Sequence, residues 1–332
     1  MEHENGTFSE GCCPFNVTFN STPLLPYKRS PFFNGLGCLA TIIIALAAIL
    51  GNAAVVIASI WDEGLREQTG NQLIVYLACT DILTGIFVMI PSAVAVAMDY
   101  WPFGNIACKI HTFFYYMLAC SSSVCIALIS LDRAIAVAYP LKYHSIITPK
   151  VMLGFMGWLL LEGSVIGFIN GAREWSRYDY TEGICAIDYT DSTSDSVLMI
   201  FTGSCVVCYF IPVGIISVCN FLIIKAANNS GNANNQPMFV RRQNDSHMKK
   251  TIKSMIVVVA TYYICFTPSA ISKLVKVLIR VDMPPWLNYA ASISIFIASA
   301  TNPFIYAILR KDYREAFKTI PKILMGKCRR VM

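Results

Sequence analysis

The chain has 332 residues, of which 55% are apolar and only 14% are charged. An ordinary globular protein carries about 25% charged residues, so these charges are too few to solvate the surface of a large soluble enzyme. The apolar content is equally incompatible with a disordered chain. The composition therefore predicts a membrane protein, and we expect the net charge of +6 to reflect membrane orientation rather than a nucleic-acid partner.

Apolar stretches long enough to cross a bilayer recur along the chain. A helix rising about 1.5 Å per residue needs about 20 apolar residues to span the hydrocarbon core. Backbone polar groups in lipid must be satisfied within the segment, which favours helices. We predict an all-α bundle of seven transmembrane helices over residues 34–309. The spans run over Asn34–Ile60, Asn71–Met98, Ile106–Tyr139, Lys150–Ile169, Val197–Ala227, Met248–Leu278 and Trp286–Leu309.

The segments outside the spans predict the orientation. Lys and Arg gather after the fifth span and in the C-terminal tail, and basic residues in short loops mark the cytoplasmic side. Glycosylation motifs at Asn5, Asn16 and Asn20 precede the first span, where their use requires an extracellular position. We therefore expect a multi-pass plasma-membrane protein with an extracellular segment 1–33, a disordered cytoplasmic loop 228–247 and a cytoplasmic segment 310–332.

Polar side chains inside the spans are costly in lipid and indicate functional positions. A charge at the bilayer centre costs at least about 2.5–3.5 kcal/mol, and Asp81 lies in the middle of the second span. Asn52, Ser122, Ser299 and Asn302 lie at comparable depths in other spans. These groups can satisfy one another directly, through water or through a cation. For the asparagines, a purely structural hydrogen-bond network stays equally open.

The cysteines divide between the spans and the outer segments. About 37 Å of helix separates Cys108 from Arg133 in the third span, so Cys108 lies at the outer face. A disulfide can persist there, with Cys185 as the natural partner and Cys12 and Cys13 as competitors. We expect the cysteines inside apolar runs to be packing residues; they are Cys79, Cys120, Cys125, Cys205, Cys208, Cys219 and Cys265.

The inner ends of the spans combine charges and helix breakers. Asp132 and Arg133 are expected at the cytoplasmic face, where the simplest interpretation is a solvated ion pair. Prolines inside spans remove a backbone hydrogen bond and kink the helix. They are Pro91, Pro212, Pro268 and Pro303, the last within Asn302-Pro303-Phe304-Ile305-Tyr306. Such breaks favour a bundle whose helices move relative to one another.

In this order, the motifs resemble those of the rhodopsin-like (class A) G-protein-coupled receptors over roughly Gly51 to Phe317. The resemblance rests on Gly51-Asn52, Leu77-Ala78-Cys79-Thr80-Asp81, Trp101 with Cys108, Leu131-Asp132-Arg133, Trp158, Cys185, Pro212, Cys265-Phe266-Thr267-Pro268 and Asn302-Pro303-Phe304-Ile305-Tyr306. It implies a receptor rather than an enzyme, in which a ligand among the outer helix halves opens the inner ends to a heterotrimeric G protein. Residues 310–318 resemble the family's short amphipathic helix, and Cys328 resembles a palmitoylation site.

The resemblance also implies roles for single residues. Arg133 holds the inactive state through Asp132 and contacts the G protein after opening. Asp81, Ser122 and Ser299, with Asn52 nearby, line a sodium pocket. The residues that rearrange on activation are Phe266, Pro268, Asn302, Pro303 and Tyr306. The chain departs from the family at Ala134, Phe266 and Ala298, where Tyr, Trp and Asn are usual.

The ligand is less determined by the sequence. The stretch after Cys185 resembles opsins, but Phe296 and His111 occupy the positions of the retinal lysine and its counter-ion, so we expect no covalent retinal. Tyr115 replaces the aspartate that pairs with biogenic amines. Lys273 and Lys276 can pair with an anionic ligand, or, as we favour, reach water or the outer-loop acids Asp188, Asp191 and Asp195. The predicted pocket residues are His111, Tyr115, Ser204, Phe266, Lys273, Asn288 and Phe296.

Two other functions stay open at this point. One is an opsin-derived, photoreceptor-like protein with unusual chromophore binding. The other is a transporter or channel, which needs a polar path through the midplane, where we assign a central charge only to Asp81. The scattered histidines predict no metal site other than a sodium ion.

Overall fold

The computed structural model describes residues 29–171, 176–187, 203–231, 238–276 and 283–319, with side chains in 227–231 and 238–255 outside this description. Within these ranges, seven helices are long and apolar enough to cross a membrane, which confirms the predicted fold. These spans, numbered in chain order, are Pro31–Trp61, Asn71–Met98, Gly104–Ala138, Pro149–Gly171, Gly203–Ala226, Ile256–Leu274 and Pro285–Leu309. Several predicted positions lie outside the described residues: Asn5, Cys12, Cys13, Asn16, Asn20, Asp188, Asp191, Asp195 and Cys328.

Local capping explains why the first span begins earlier than predicted. Ser30 is the N-cap, and its Oγ accepts a hydrogen bond of 3.2 Å from the Phe33 amide. Pro31 follows at the first helical position, where its missing N–H costs nothing. The helix therefore starts before Asn34.

The helix breakers take different forms in different spans. A π-helical segment, Gly85–Met89, directly precedes the turn that contains Pro91, and Val206–Phe210 does the same for Pro212. A wider turn accommodates the backbone carbonyl that the proline cannot bond. Pro268 and Pro303 instead lie inside continuous helix.

The predicted disordered loop 228–247 differs from the structure. The fifth helix continues to Gly231, and the sixth begins at Met238 as part of Met238–Leu274. Helix propagation from an apolar span needs only one hydrogen bond per added residue, so it overrides the weak helix propensity of the Asn-rich run. Residues 232–237 lie outside the described ranges.

A β-hairpin covers one end of the bundle, which we call the hairpin end. Strands β1 (Ser176–Asp179) and β2 (Ile184–Ile187) are antiparallel, with Tyr178 opposite Cys185. All four residues of β2 are buried, because a disulfide joins Cys185 to Cys108 at the start of the third span. The turn needs Gly183, whose φ of 71° disfavours other residues.

The opposite end, which we call the Arg133 end, is closed by short helices. Glu63–Glu67 and Tyr143–Ile146 connect neighbouring spans, and a final helix covers residues 311–319. Tyr313 in that final helix is fully buried and donates a hydrogen bond of 2.6 Å to Asn71 Oδ1. Its hydroxyl also lies 2.8 Å from Ser59 Oγ, so the helix is fixed against the first two spans.

Candidate functional site

A cavity of about 100 Å³ lies beneath the hairpin, among the third to seventh spans. Four of the predicted pocket residues line it: Tyr115, Ser204, Phe266 and Lys273. The sequence analysis missed the other lining residues, which are Tyr116, Ala119, Asn170, Cys205, Cys208, Tyr209, Ser269, Ala270 and Ile295. The cavity is therefore mainly aromatic and apolar, with a few polar groups that can orient a ligand.

Three predicted pocket residues lie outside this lining. His111 Nε2 lies 3.1 Å from Ser92 Oγ and 3.2 Å from the Val88 carbonyl oxygen, so the ring faces the second span. Asn288 accepts a hydrogen bond from Ser272 and donates one to Thr181. Phe296 packs in the apolar core. The predicted depth of these residues was sound, but depth alone does not fix the face of a helix.

A buried ion pair joins the cavity to the hairpin. Lys273 Nζ lies 3.1 Å from Glu182 Oε2, and the two residues are only 8% and 5% exposed. The same ammonium lies 5.4 Å and 5.8 Å from the ring centroids of Tyr115 and Tyr116. This arrangement satisfies a charge that would otherwise be costly to bury.

A second ion pair lies beside the first. Lys276 Nζ is 2.6 Å from Asp179 Oδ2, at the end of β1. Burial disfavours the charged carboxylate, but the Lys276 ammonium outweighs it, and the pKa of Asp179 lies below its usual value. We predicted pairing with outer-loop acids, and the structure assigns this role to Asp179 and Glu182.

The hairpin turn is shaped by Asp179 as well. Its Oδ1 accepts hydrogen bonds from the Thr181 amide at 2.8 Å, the Thr181 hydroxyl at 2.7 Å and the Glu182 amide at 3.1 Å. These bonds are typical of a turn closed by an aspartate side chain. They direct Glu182 towards Lys273.

The prediction that Cys120 and Cys208 are packing residues is wrong. The structure joins them in a disulfide between the third and fifth spans. A buried acid, Glu162 of the fourth span, lies beside it, with Oε1 2.7 Å from Cys120 Sγ. The expectation of a single central charge missed Glu162, which stands alone after three leucines.

These three residues also form a cluster that the sequence analysis did not find. Their candidate ligand atoms all lie within 4.8 Å of one another. Thiolates, rather than disulfide sulfurs, ligate metals, so the bonded cysteines are not metal ligands in this state. The cluster instead closes one wall of the cavity through Cys208.

A polar network surrounds Asp81 in the middle of the bundle. Asn302 donates a hydrogen bond of 2.8 Å to Asp81 Oδ2, and Asn52 donates one of 3.0 Å to the Ser299 carbonyl. Ser122 lies 3.2 Å from Thr80 Oγ1. Asn52 Oδ1 is buried without a hydrogen-bond partner among the described residues. Oxygen ligands of this kind fit a hard cation such as sodium.

The predicted coupling residues gather at the Arg133 end. Arg133 Nη2 lies 2.7 Å from Asp132 Oδ2, and Tyr143 donates a hydrogen bond of 2.7 Å to Asp132 Oδ1. Burial, with the bond to Asp132, raises the pKa of Tyr143 to about 12, so it stays a donor. Because Asp132 is only 2% exposed, the pair is buried rather than solvated as the simplest interpretation assumed.

The seventh span continues the network towards that end. Pro303 packs against the first span at Gly51, where a Cβ would lie 2.9 Å from Pro303 Cγ. Tyr306 is buried and stacks on Tyr313, with ring centroids 5.6 Å apart. Movement of the seventh span would therefore disturb the final helix and the first span together.

Seven spans, a disulfide-tied hairpin over a ligand-sized site and a buried Asp-Arg pair at the opposite end define a receptor of the seven-transmembrane class. The family described as "7 transmembrane receptor (rhodopsin family)" matches residues 51–306, and the chain belongs to this family. It is a multi-pass membrane protein and a G-protein-coupled receptor, not an enzyme. The alternative of a transporter or channel is thereby set aside.

Curated relatives of this chain include receptors named for different ligands. It is 30% identical to the Allatostatin-A receptor of Bombyx mori over 322 residues, covering 94% of this chain and 85% of that protein. It is 30% identical to Trace amine-associated receptor 1 of Macaca mulatta, covering 86% of both. Identity to human 5-hydroxytryptamine receptor 4 is 26%, covering 85% of this chain and 78% of that receptor. These names do not agree on a ligand class.

Proposed function

We propose that the chain is a plasma-membrane receptor whose N-terminus is extracellular and whose ligand binds non-covalently in the cavity beneath the hairpin. The observation that carries this proposal is the Lys273–Glu182 pair, a buried charge contact on the cavity side of a disulfide-tied hairpin. A disulfide at the hairpin end supports an extracellular location for that end. The basic segments after the fifth and seventh spans support a cytoplasmic location for the other.

Two familiar ligand modes lack their anchors in this cavity. Phe296 occupies the position that resembles the retinal lysine, and it is packed in the core. Tyr115, at the position that resembles the amine-binding aspartate, lines the cavity without a negative charge. These features favour a small organic molecule or a peptide end that is held without a covalent bond.

Signal transfer to a heterotrimeric G protein is proposed to use the buried pair at the Arg133 end. The bundle is a two-state element, and opening exposes Arg133 to the G protein after its contact with Asp132 is released. The Asp81 network is proposed to hold sodium in the closed state through Asp81, Ser122 and Ser299. Asn52, Asn302 and Tyr306 then rearrange on opening.

Nucleotide exchange on purified G proteins tests this function. We expect an Arg133→Ala variant in lipid nanodiscs to lose ligand-dependent and basal exchange while keeping wild-type folding. Arg66→Ala is the matched control, because Arg66 is an exposed arginine at the same end with only a surface contact to Glu63. Full exchange by Arg133→Ala would refute the proposed coupling role. Retinal and light are included, and light-dependent exchange would refute non-covalent ligand binding.

A further inference from the structure

We propose that the natural ligand carries a carboxylate, or another compact anion, that replaces Glu182 at Lys273. This inference rests on the proposed function, because it assumes that the cavity beneath the hairpin is the ligand site. Glu182 then acts as a tethered stand-in for the ligand's own anion. The anion names a chemical class that the relatives' names do not give.

The size of the cavity requires that something leaves when a ligand enters. Its volume is about 100 Å³, whereas sites for small organic ligands hold about 300–1,000 Å³. The hairpin is the element that can give way, because it is a two-stranded sheet joined to the bundle at Cys185. Its turn places Glu182 directly on the pocket lysine.

The two partners of the ion pair differ in what they can do after separation. Glu182 belongs to a hairpin turn, so lifting the turn takes its carboxylate into water. Lys273 is fixed on the sixth span, with its ammonium near the faces of Tyr115 and Tyr116. A buried charge without a partner is strongly destabilising, so the lysine needs a replacement anion in place. The lasting charge of the site is therefore positive.

The surroundings of Lys273 fit the rest of such a ligand. Ring faces stabilise the ammonium by a cation–π interaction without neutralising it. Phe266, Tyr209 and Ile295 line the cavity below and can hold an apolar or aromatic body, with Ser269 and Ser204 offering hydroxyl groups. An ammonium ligand placed there would lie against Lys273, and like charges repel.

The stand-in also sets the affinity of the receptor. A tethered carboxylate competes at a high effective concentration with any free anion, as intramolecular groups do. Removing its charge should therefore raise the apparent affinity for an anionic ligand by at least about tenfold. The neighbouring Lys276 provides a matched control, because it makes the same kind of ion pair but does not line the cavity.

Thermal stability and direct binding of purified receptor in nanodiscs test the inference. The probes are carboxylates with phenyl, indole and alkyl bodies, each matched by its primary amide and primary amine. We expect the carboxylate of at least one body to stabilise the wild type and its amide and amine not to do so. Glu182→Gln should bind that carboxylate at least about tenfold more tightly. Lys276→Gln should change its affinity less than about threefold.

Replacing Lys273 completes the design. Lys273→Gln should lose carboxylate binding, and Glu182→Gln combined with Lys273→Gln serves where the single variant folds poorly, because it leaves no unpaired acid. Preference for the amine, or equal carboxylate binding by the double variant, overturns the inference. So does the lack of any carboxylate effect on Glu182→Gln at millimolar concentration.

An Arg133→Ala receptor separates this inference from the proposed function. We expect it to keep the carboxylate-induced rise in thermal stability while nucleotide exchange is lost. Carboxylate binding that leaves wild-type exchange unchanged would support the anion site and refute its role as the signalling site. Exchange driven by amines without regard to Lys273 would do the reverse.

Discussion

Replacing Gly70 by alanine tests the Arg133 end without changing any charge. A Cβ at Gly70 would lie 2.6 Å from Arg133 Nη2 and 2.7 Å from Asp132 Oδ2. Non-bonded carbon contacts are optimal at about 3.5–4.0 Å, so the ion pair must move by roughly 1 Å. The backbone at Gly70, with φ −66° and ψ −13°, is open to alanine. Without the contact, the change would be neutral or would stabilise by about 0.4–1 kcal/mol.

The displaced pair should favour the open state. Asp132 is buried, so a weakened contact costs energy in the closed state alone, and we take this cost as about 1–2 kcal/mol, or roughly 5–30-fold in the equilibrium. Ligand-free nucleotide exchange by Gly70→Ala should rise accordingly. Gly154→Ala is the control, since a Cβ there meets nothing within 4 Å. Equal basal exchange by the two variants would refute the reasoning.

Three further predictions follow from the geometry. Cys108→Ser or Cys185→Ser opens a bridge with a sequence separation of 77 and should cost about 4 kcal/mol; thermal unfolding checks this against Cys38→Ser, and equal stability would contradict it. The depressed pKa of Asp179 means that its pair with Lys276 stabilises the receptor at neutral pH. The difference in melting temperature between wild type and Asp179→Asn should therefore shrink as pH falls below the ordinary value of 3.8; a constant difference would speak against the pair. Sodium should raise the melting temperature of the wild type more than potassium does, and Asp81→Asn should abolish the difference, whereas Asp62→Asn in the exposed loop should keep it.

The spans were predictable because they depend on composition and length alone. The second span has the predicted bounds, Asn71–Met98, and the others differ by a few residues where both are described. Local chemistry accounts for those differences, as the Ser30 cap does at the first span. The Cys120–Cys208 bridge was not predictable, since a disulfide depends on which helix faces meet and the spacing of cysteines does not reveal them.

The candidate site was predictable in part. Tyr115 and Lys273 were placed correctly because a span position fixes depth along the helix. His111 lies four residues before Tyr115 on the same helix face, yet its ring reaches Ser92 above the cavity. Glu182 was missed because its position depends on the hairpin turn, and turn geometry is set by side-chain bonds that periodicity does not describe.

The positions of the ion pairs constrain how a ligand can shift the bundle. Lys273 and Pro268 lie on the sixth span, which is also held by Tyr262, 2.7 Å from Ser123 Oγ, and by Thr267, 2.9 Å from the Tyr209 hydroxyl. An anion that merely exchanges with Glu182 leaves Lys273 equally paired in both states and shifts nothing, however tightly it binds. The signal must therefore come from contacts that differ between states. The ligand's body against Phe266 and Tyr209 is the part of the cavity that reaches those inner hydrogen bonds, since Phe266 stacks on Tyr262 at 4.7 Å. Anion recognition would then decide which molecules bind, and the shape of the body would decide which of them activate.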